Sequence, residues 1–149
     1  MEYDSAKETL YHIRRVSGLL HKICKDLLNR ADDHDKTKLR YPEKAVFDKY
    51  TPNLKKTTYG SDEYKNDTEG EMSPALKDHY AANSHHPEHY ENGIDGMDLL
   101  DLVEMFCDWK AASERHEDGD IYESIVMNKD RFSMSDQLVS IFKNTIKRV

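Results

Sequence analysis

Leu10, Ile13, Val16, Leu20, Ile23 and Leu27 return every three or four residues, the spacing that lines one face of an α-helix. Ser5 followed by Glu8 offers a capping box ahead of them, so a first helix is expected from about Ser5 to Arg30. The acidic stretch ADDHDKTKLR breaks the pattern, and Pro42 suits the first turn of a short helix through Ala45, Val46 and Phe47. From Thr51 to Met72 glycine, proline and many charges replace the periodicity. The expectation there is a long polar loop, a class of segment that is often functional or mobile.

Ser73 and Pro74 then read as helix cap and first helical position, and Pro87 should end that helix near His86. Gly93 and Gly96 make a turn before the strongly periodic MDLLDLVEMFCDWKAASER, which an acidic Gly-containing loop closes near Asp118. Two final helices are expected at about Ile121–Arg131 and Ser135–Lys147, the last capped by Ser135. No segment alternates as a strand would. The pattern predicts an all-α bundle of five to seven helices, and 149 residues suit one domain over 1–149.

Composition narrows the partners. The net charge of −7 opposes a grip on duplex nucleic acid or an anionic membrane, both of which call for a basic patch. No apolar run reaches the roughly 20 residues of a membrane span, and the polar N-terminus is no signal peptide, so a cytoplasmic place is expected. Cys24 and Cys107 lie in apolar helical stretches and are expected buried as small hydrophobes rather than bridged.

Candidate chemistry gathers around histidine and acid. On a wheel at about 100° per residue, His12 shares the face of Val16, Leu19 and Ile23, and His21 lies about 180° away with Arg14 and Lys25. His12 is therefore expected buried and His21 exposed. His34 and Asp35 form an adjacent nitrogen and carboxylate pair that a turn can bring onto one divalent metal. Asp101, Glu104 and Asp108 fall within one sector of about 60° together with Met97, Met105, Ala111 and Ala112. They face protein rather than water, and buried acids need a cation or donors, whether a metal or an arginine such as Arg115. In HYAANSHHPEHY, His79, Asn83 and His86 sit at i, i+4 and i+7 beside His85, and four histidines crowd into eleven residues.

In chain order, His12, His34-Asp35, His85-His86 and Asp108 resemble the HD superfamily of metal-dependent phosphohydrolases, and EMFCDWKAA resembles the late helix that carries the closing aspartate there. The phrases H-I-x-x-V, H-D-x-[ST]-K, H-Y-x-x-N-x-H-H-P-E and E-M-x-x-D-W-x-A also resemble, more closely, a family of short phage and bacterial proteins known only as a domain of unknown function. The HD resemblance implies a fold of HD type and hydrolysis of a small phosphorylated substrate, a nucleotide for preference. It implies metal ligands among His12, His34, Asp35, His85, His86 and Asp108, with Asp101 as the other choice for the closing acid. One divalent ion (Mn, Fe, Co, Ni or Zn) is expected, and two if His79 joins His85 and His86. Asp35 would orient the nucleophile, Glu104 would act as general base or as partner to a ligating histidine, and Lys38, Arg115, His79 and Asn83 would contact substrate. Arg131 reads as an ordinary surface charge. Tyr80 and Trp109 read first as packing residues and second as stacking platforms for a base. Two rivals stand beside this reading: a di-iron oxygenase on the same scaffold, and a non-catalytic protein with a structural zinc or a polar core.

Overall fold

The first helix, α1 (Ala6–Asp33), follows the expected apolar period closely and runs three residues further than predicted. Its start differs in detail: Ser5 makes no side-chain cap, and Asp4 Oδ1 accepts instead from the backbone N–H of Ala6 at 2.9 Å. The computed structural model describes residues 3–54, 57, 66, 68, 70, 72–115 and 119–149. Two compact units make up the chain, residues 1–34 and 35–149.

The first unit is α1 with its N-terminal lead. No residue of α1 is buried, and Ile13, Val16, Leu19, Leu20 and Ile23 are all exposed. This corrects two expectations: His12 is exposed like His21, and Cys24 is an exposed free thiol. The physical reason is that periodicity creates an apolar stripe without a cover, and one helix has nothing of its own to fold the stripe against.

The second unit contains a 3₁₀ turn (Lys36–Leu39), α2 (Glu43–Leu54), α3 (Ser73–Ala82), two further 3₁₀ turns (Pro87–His89, Gly93–Gly96), α4 (Leu99–Ser113), α5 (Ile121–Phe132) and α6 (Asp136–Thr145) with a closing turn (Ile146–Arg148). The fold is all-helical, with six α-helices and no strand among the described residues. None of these helices is long and apolar enough to cross a membrane. The loop predicted from Thr51 is corrected at its start, because α2 continues through Pro52 to Leu54. Most of its remainder, and the expected closure near Asp118, lie outside the described residues.

The apolar core of this unit is built by α4, α5 and α6. Met105, Phe106, Ile121, Ile125, Met134, Val139 and Phe142 are buried together. Trp109 lies nearly parallel to Phe132 at 6.1 Å and edge-on to Phe142 at 6.0 Å, so its indole is part of that packing. Burying each such side chain is worth about 1.5–3 kcal/mol, enough to fix the three helices as a platform. Cys107, expected buried, is exposed beside buried Phe106, since the core takes only one stripe of α4. Ser135 caps α6 as expected, accepting from Leu138 N–H.

Candidate metal centre

The N-terminus of α4 fixes the frame of the site. Asp98 accepts from the N–H groups of Leu100 and Asp101, and Asp101 Oδ2 accepts in return from Asp98 N–H, a reciprocal capping box. Asp101 also accepts from Ser84 Oγ at 2.7 Å and Tyr90 Oη at 2.6 Å. One buried carboxylate thus ties both ends of the SHHPEHY segment to the start of α4. The same acid, together with burial, pushes the Tyr90 phenol up and keeps it a donor. The Asp101 carboxylate accepts from three donors, Ser84, Tyr90 and the Asp98 N–H, and it is absent from the side-chain groups placed to hold a cation among the described residues. The acids one and two turns further along α4, Glu104 and Asp108, face the cluster instead.

The predicted helix through His86 ends at Ala82, four residues early. Asn83 takes extended backbone angles, and its side-chain amide donates to the His79 carbonyl at 2.8 Å, replacing the backbone N–H that a further helical turn would have supplied. Pro87 disfavours helical angles at His86, which is extended as well. The turn nevertheless brings His86 back onto His79: their Nε2 atoms are 3.0 Å apart.

Around that contact the polar interior assembles. Asp35 stands in the left-handed region at φ 55°, a conformation that Asp tolerates better than most residues, and its Oδ2 accepts from Lys38 Nζ at 2.6 Å. Its Oδ1 lies 3.2 Å from His79 Nε2 and 3.6 Å from His85 Nε2. Ligand atoms of Asp35, His79, His85 and His86 all fall within 4.8 Å of one another, and so do carboxylate oxygens of Asp35 and Asp108. Behind the rings stand two further acids: Glu43 Oε2 is 3.0 Å from His79 Nδ1, and Glu104 Oε1 is 3.1 Å from His85 Nδ1. His79 and His85 are 1% and 2% exposed, and Glu43 is 7% exposed.

The donor set fits a divalent cation. Two atoms bound to one tetrahedral ion through bonds of about 2.1 Å stand about 3.4 Å apart, close to the separations among Asp35 Oδ1 and the imidazole nitrogens. A carboxylate behind each Nδ1 is the common backing of a metal-bound histidine, leaving the Nε2 lone pair to face inward. Burial, then the neighbouring His85 and His79, push His86 down to about 3, with Asp108 pulling the other way. A histidine that stays neutral gives up no proton when it ligates. The set is nitrogen and oxygen only, suited to Mn, Fe, Co, Ni or Zn.

Of the residues singled out in the sequence, Asp35, His85 and His86 have ligand atoms within 4.8 Å of one another. His79, expected beside substrate, stands among the ligand atoms. Asn83, expected to touch substrate, has its amide engaged by the His79 carbonyl and by Thr37 Oγ1 at 3.1 Å. Lys38 stays at the rim, paired with Asp35 and 5.1 Å over the Phe47 ring. Arg115 is exposed beyond the end of α4, and Arg131 pairs on the surface with Glu88 at 2.6 Å. His12 and His34 belong to the first unit, His34 as the half-buried C-cap of α1 and the chain neighbour of Asp35. Glu43 and Thr37 were missed as site residues. Their only sequence signal is a polar pair close behind the His-Asp doublet, and 36 and 42 positions separate them from the histidine they contact.

Comparison with curated proteins and with solved structures finds no match. Residues 1–148 match a family described as a family of unknown function (DUF5662), and with nearly its whole length matched the chain belongs to that family.

Proposed function

We propose that the cluster of Asp35, His79, His85 and His86 holds a catalytic divalent cation, and that the protein hydrolyses a small phosphorylated substrate, a nucleotide for preference. The observation that carries this reading is the convergence of three imidazole nitrogens and a carboxylate oxygen within 4.8 Å, two of the rings backed by acids, buried Glu43 and half-buried Glu104. The order His34-Asp35 followed by Asp108 supports the phosphohydrolase class through its resemblance to HD enzymes, with Asp108 as a further ligand. A cation held by these residues would lower the pKa of bound water and polarise a phosphoryl oxygen.

The chain's own groups divide the remaining work. Lys38, a cation paired with Asp35, would contact phosphate oxygens as charge develops on them. Glu104, at 3.1 Å from His85 Nδ1, serves as partner to that ligating histidine. Asp35 bridges these groups, facing imidazoles with one oxygen and Lys38 with the other.

Phosphate release from a panel of nucleotides and simple phosphomonoesters tests the reading, with protein loaded in turn with Mn²⁺, Fe²⁺, Co²⁺, Ni²⁺ and Zn²⁺. Release by the wild type that disappears in Asp35→Ala is expected. Metal binding without release from any substrate, accompanied by oxygen consumption in the ferrous protein, would replace this reading with an oxygenase. Metal binding with neither activity would leave a non-catalytic metal site.

A further inference from the structure

The hydrogen-bond pattern behind His79 favours a proton on Nδ1, and it gives a role to Glu43. Four polar groups meet there: Glu43 Oε2, Thr37 Oγ1, the Asn83 amide and His79 Nδ1, each about 3 Å from its neighbours. Asn83 Nδ2 has two protons, and two acceptors take them: the His79 carbonyl at 2.8 Å and Thr37 Oγ1 at 3.1 Å. The single Thr37 hydroxyl proton goes to Glu43 Oε2 at 2.9 Å. What remains is the 3.0 Å contact between Glu43 Oε2 and His79 Nδ1. A carboxylate only accepts, so a bare Nδ1 would set lone pair against lone pair inside the protein. With the proton on Nδ1, every donor has an acceptor.

We propose that Glu43 is a positioning residue which fixes His79 as its Nδ1–H tautomer and thereby presents the Nε2 lone pair to the cation site. The inference rests on the metal-centre reading and adds to it a residue 36 positions from the histidine it faces. Thr37 and Asn83 hold Glu43 and the ring edge in register. Glu104 performs the same service for His85 Nδ1 from α4. With the lone pair held inward, His79 Nε2 meets Asp35 Oδ1 at 3.2 Å and His86 Nε2 at 3.0 Å, an arrangement that a shared cation satisfies.

Two measurements on the full chain test this. Long-range ¹⁵N–¹H correlation spectra of the metal-free protein report which ring nitrogen of His79 carries the proton, with the His79 signals assigned by their loss in His79→Gln. Titration with Zn²⁺ and Mn²⁺ then compares the wild type, Glu43→Gln, which keeps an acceptor without the charge, and Glu43→Leu, which keeps bulk without an acceptor. The expected result is an Nδ1–H tautomer in the wild type and an Nε2–H tautomer in Glu43→Leu. Metal affinity should fall by about 10- to 100-fold in Glu43→Leu, with partial rescue in Glu43→Gln. An Nε2 proton on His79 in the wild type overturns the role of Glu43 even where metal binds. Glu43→Leu that binds both metals as the wild type does overturns it as well. A wild type that binds neither metal overturns the metal-centre reading instead, a failure visible apart from the tautomer. If Glu43→Leu fails to fold, the wild-type tautomer and Glu43→Gln still decide.

Discussion

The second unit buries two interiors of opposite character. Between α4, α5 and α6 lie Met105, Phe106, Ile125 and Phe142, an apolar packing whose stability comes from removal of surface from water. Around His79 and His85 lie acids and imidazoles, with Asp35 Oδ1 turned toward their nitrogens. Burial of that second kind opposes folding unless each group finds a partner. The first interior holds the helices; the second gathers the candidate metal ligands, and the Asp101 carboxylate joins them by tying the histidine segment to α4.

Substitutions should separate the two. Ile125→Ala, at a side chain with 0% exposure, should lower stability by about 2–5 kcal/mol by denaturant unfolding while the folded fraction keeps its metal per chain. Metal lost in proportion to stability would merge the two interiors into one. Asp101→Asn weakens the capping box and the anchors to Ser84 and Tyr90, and a cost of about 1–3 kcal/mol is expected. Because this acid tethers the His85 turn, metal affinity should fall too, a coupled loss that Ile125→Ala should not give. Gly96→Ala would set a Cβ 2.8 Å from Tyr90 Cβ, so the Tyr90 turn must shift; a loss of about 1–2 kcal/mol in the same assay is expected.

Acid should strike the polar interior selectively. His86 is held near 3 in the fold against 6.5 ordinarily, so between these values the unfolded chain binds a proton that the native metal-free protein does not. Its contribution to stability is complete above pH 6.5 and is lost as pH falls toward 3. Urea unfolding of the metal-free protein across that window should show the decline, and His86→Gln should flatten it. An unchanged slope in His86→Gln would remove this histidine from the account.

Much of the fold was legible because apolar spacing is a local signal. α4, α5 and α6 lie close to their predicted spans, and Ser135 caps α6 as its sequence suggests. The misreadings fall where a distant or side-chain partner decides. α1 has the right period, yet period alone says nothing of cover, and so His12 and Cys24 came out exposed. The helix before His85 stopped early because the Asn83 side chain, not its backbone, took the His79 carbonyl. In the site, His85, His86 and Asp35 announced themselves by crowding and by the His-Asp doublet. Glu43 had no such mark, since what singles it out is a contact with His79 made through folding.

The central claim is that the histidine cluster is a cation site, and elemental analysis of tag-free protein tests it most directly. The wild type should carry near-stoichiometric divalent metal per chain, as purified or after reconstitution with manganese, iron or zinc. Asp35→Ala and His85→Ala should lose it while retaining the helical content of the wild type. Wild-type protein that takes up none of these metals, or an Asp35→Ala variant that retains its full complement, would contradict the claim and leave the cluster a polar core.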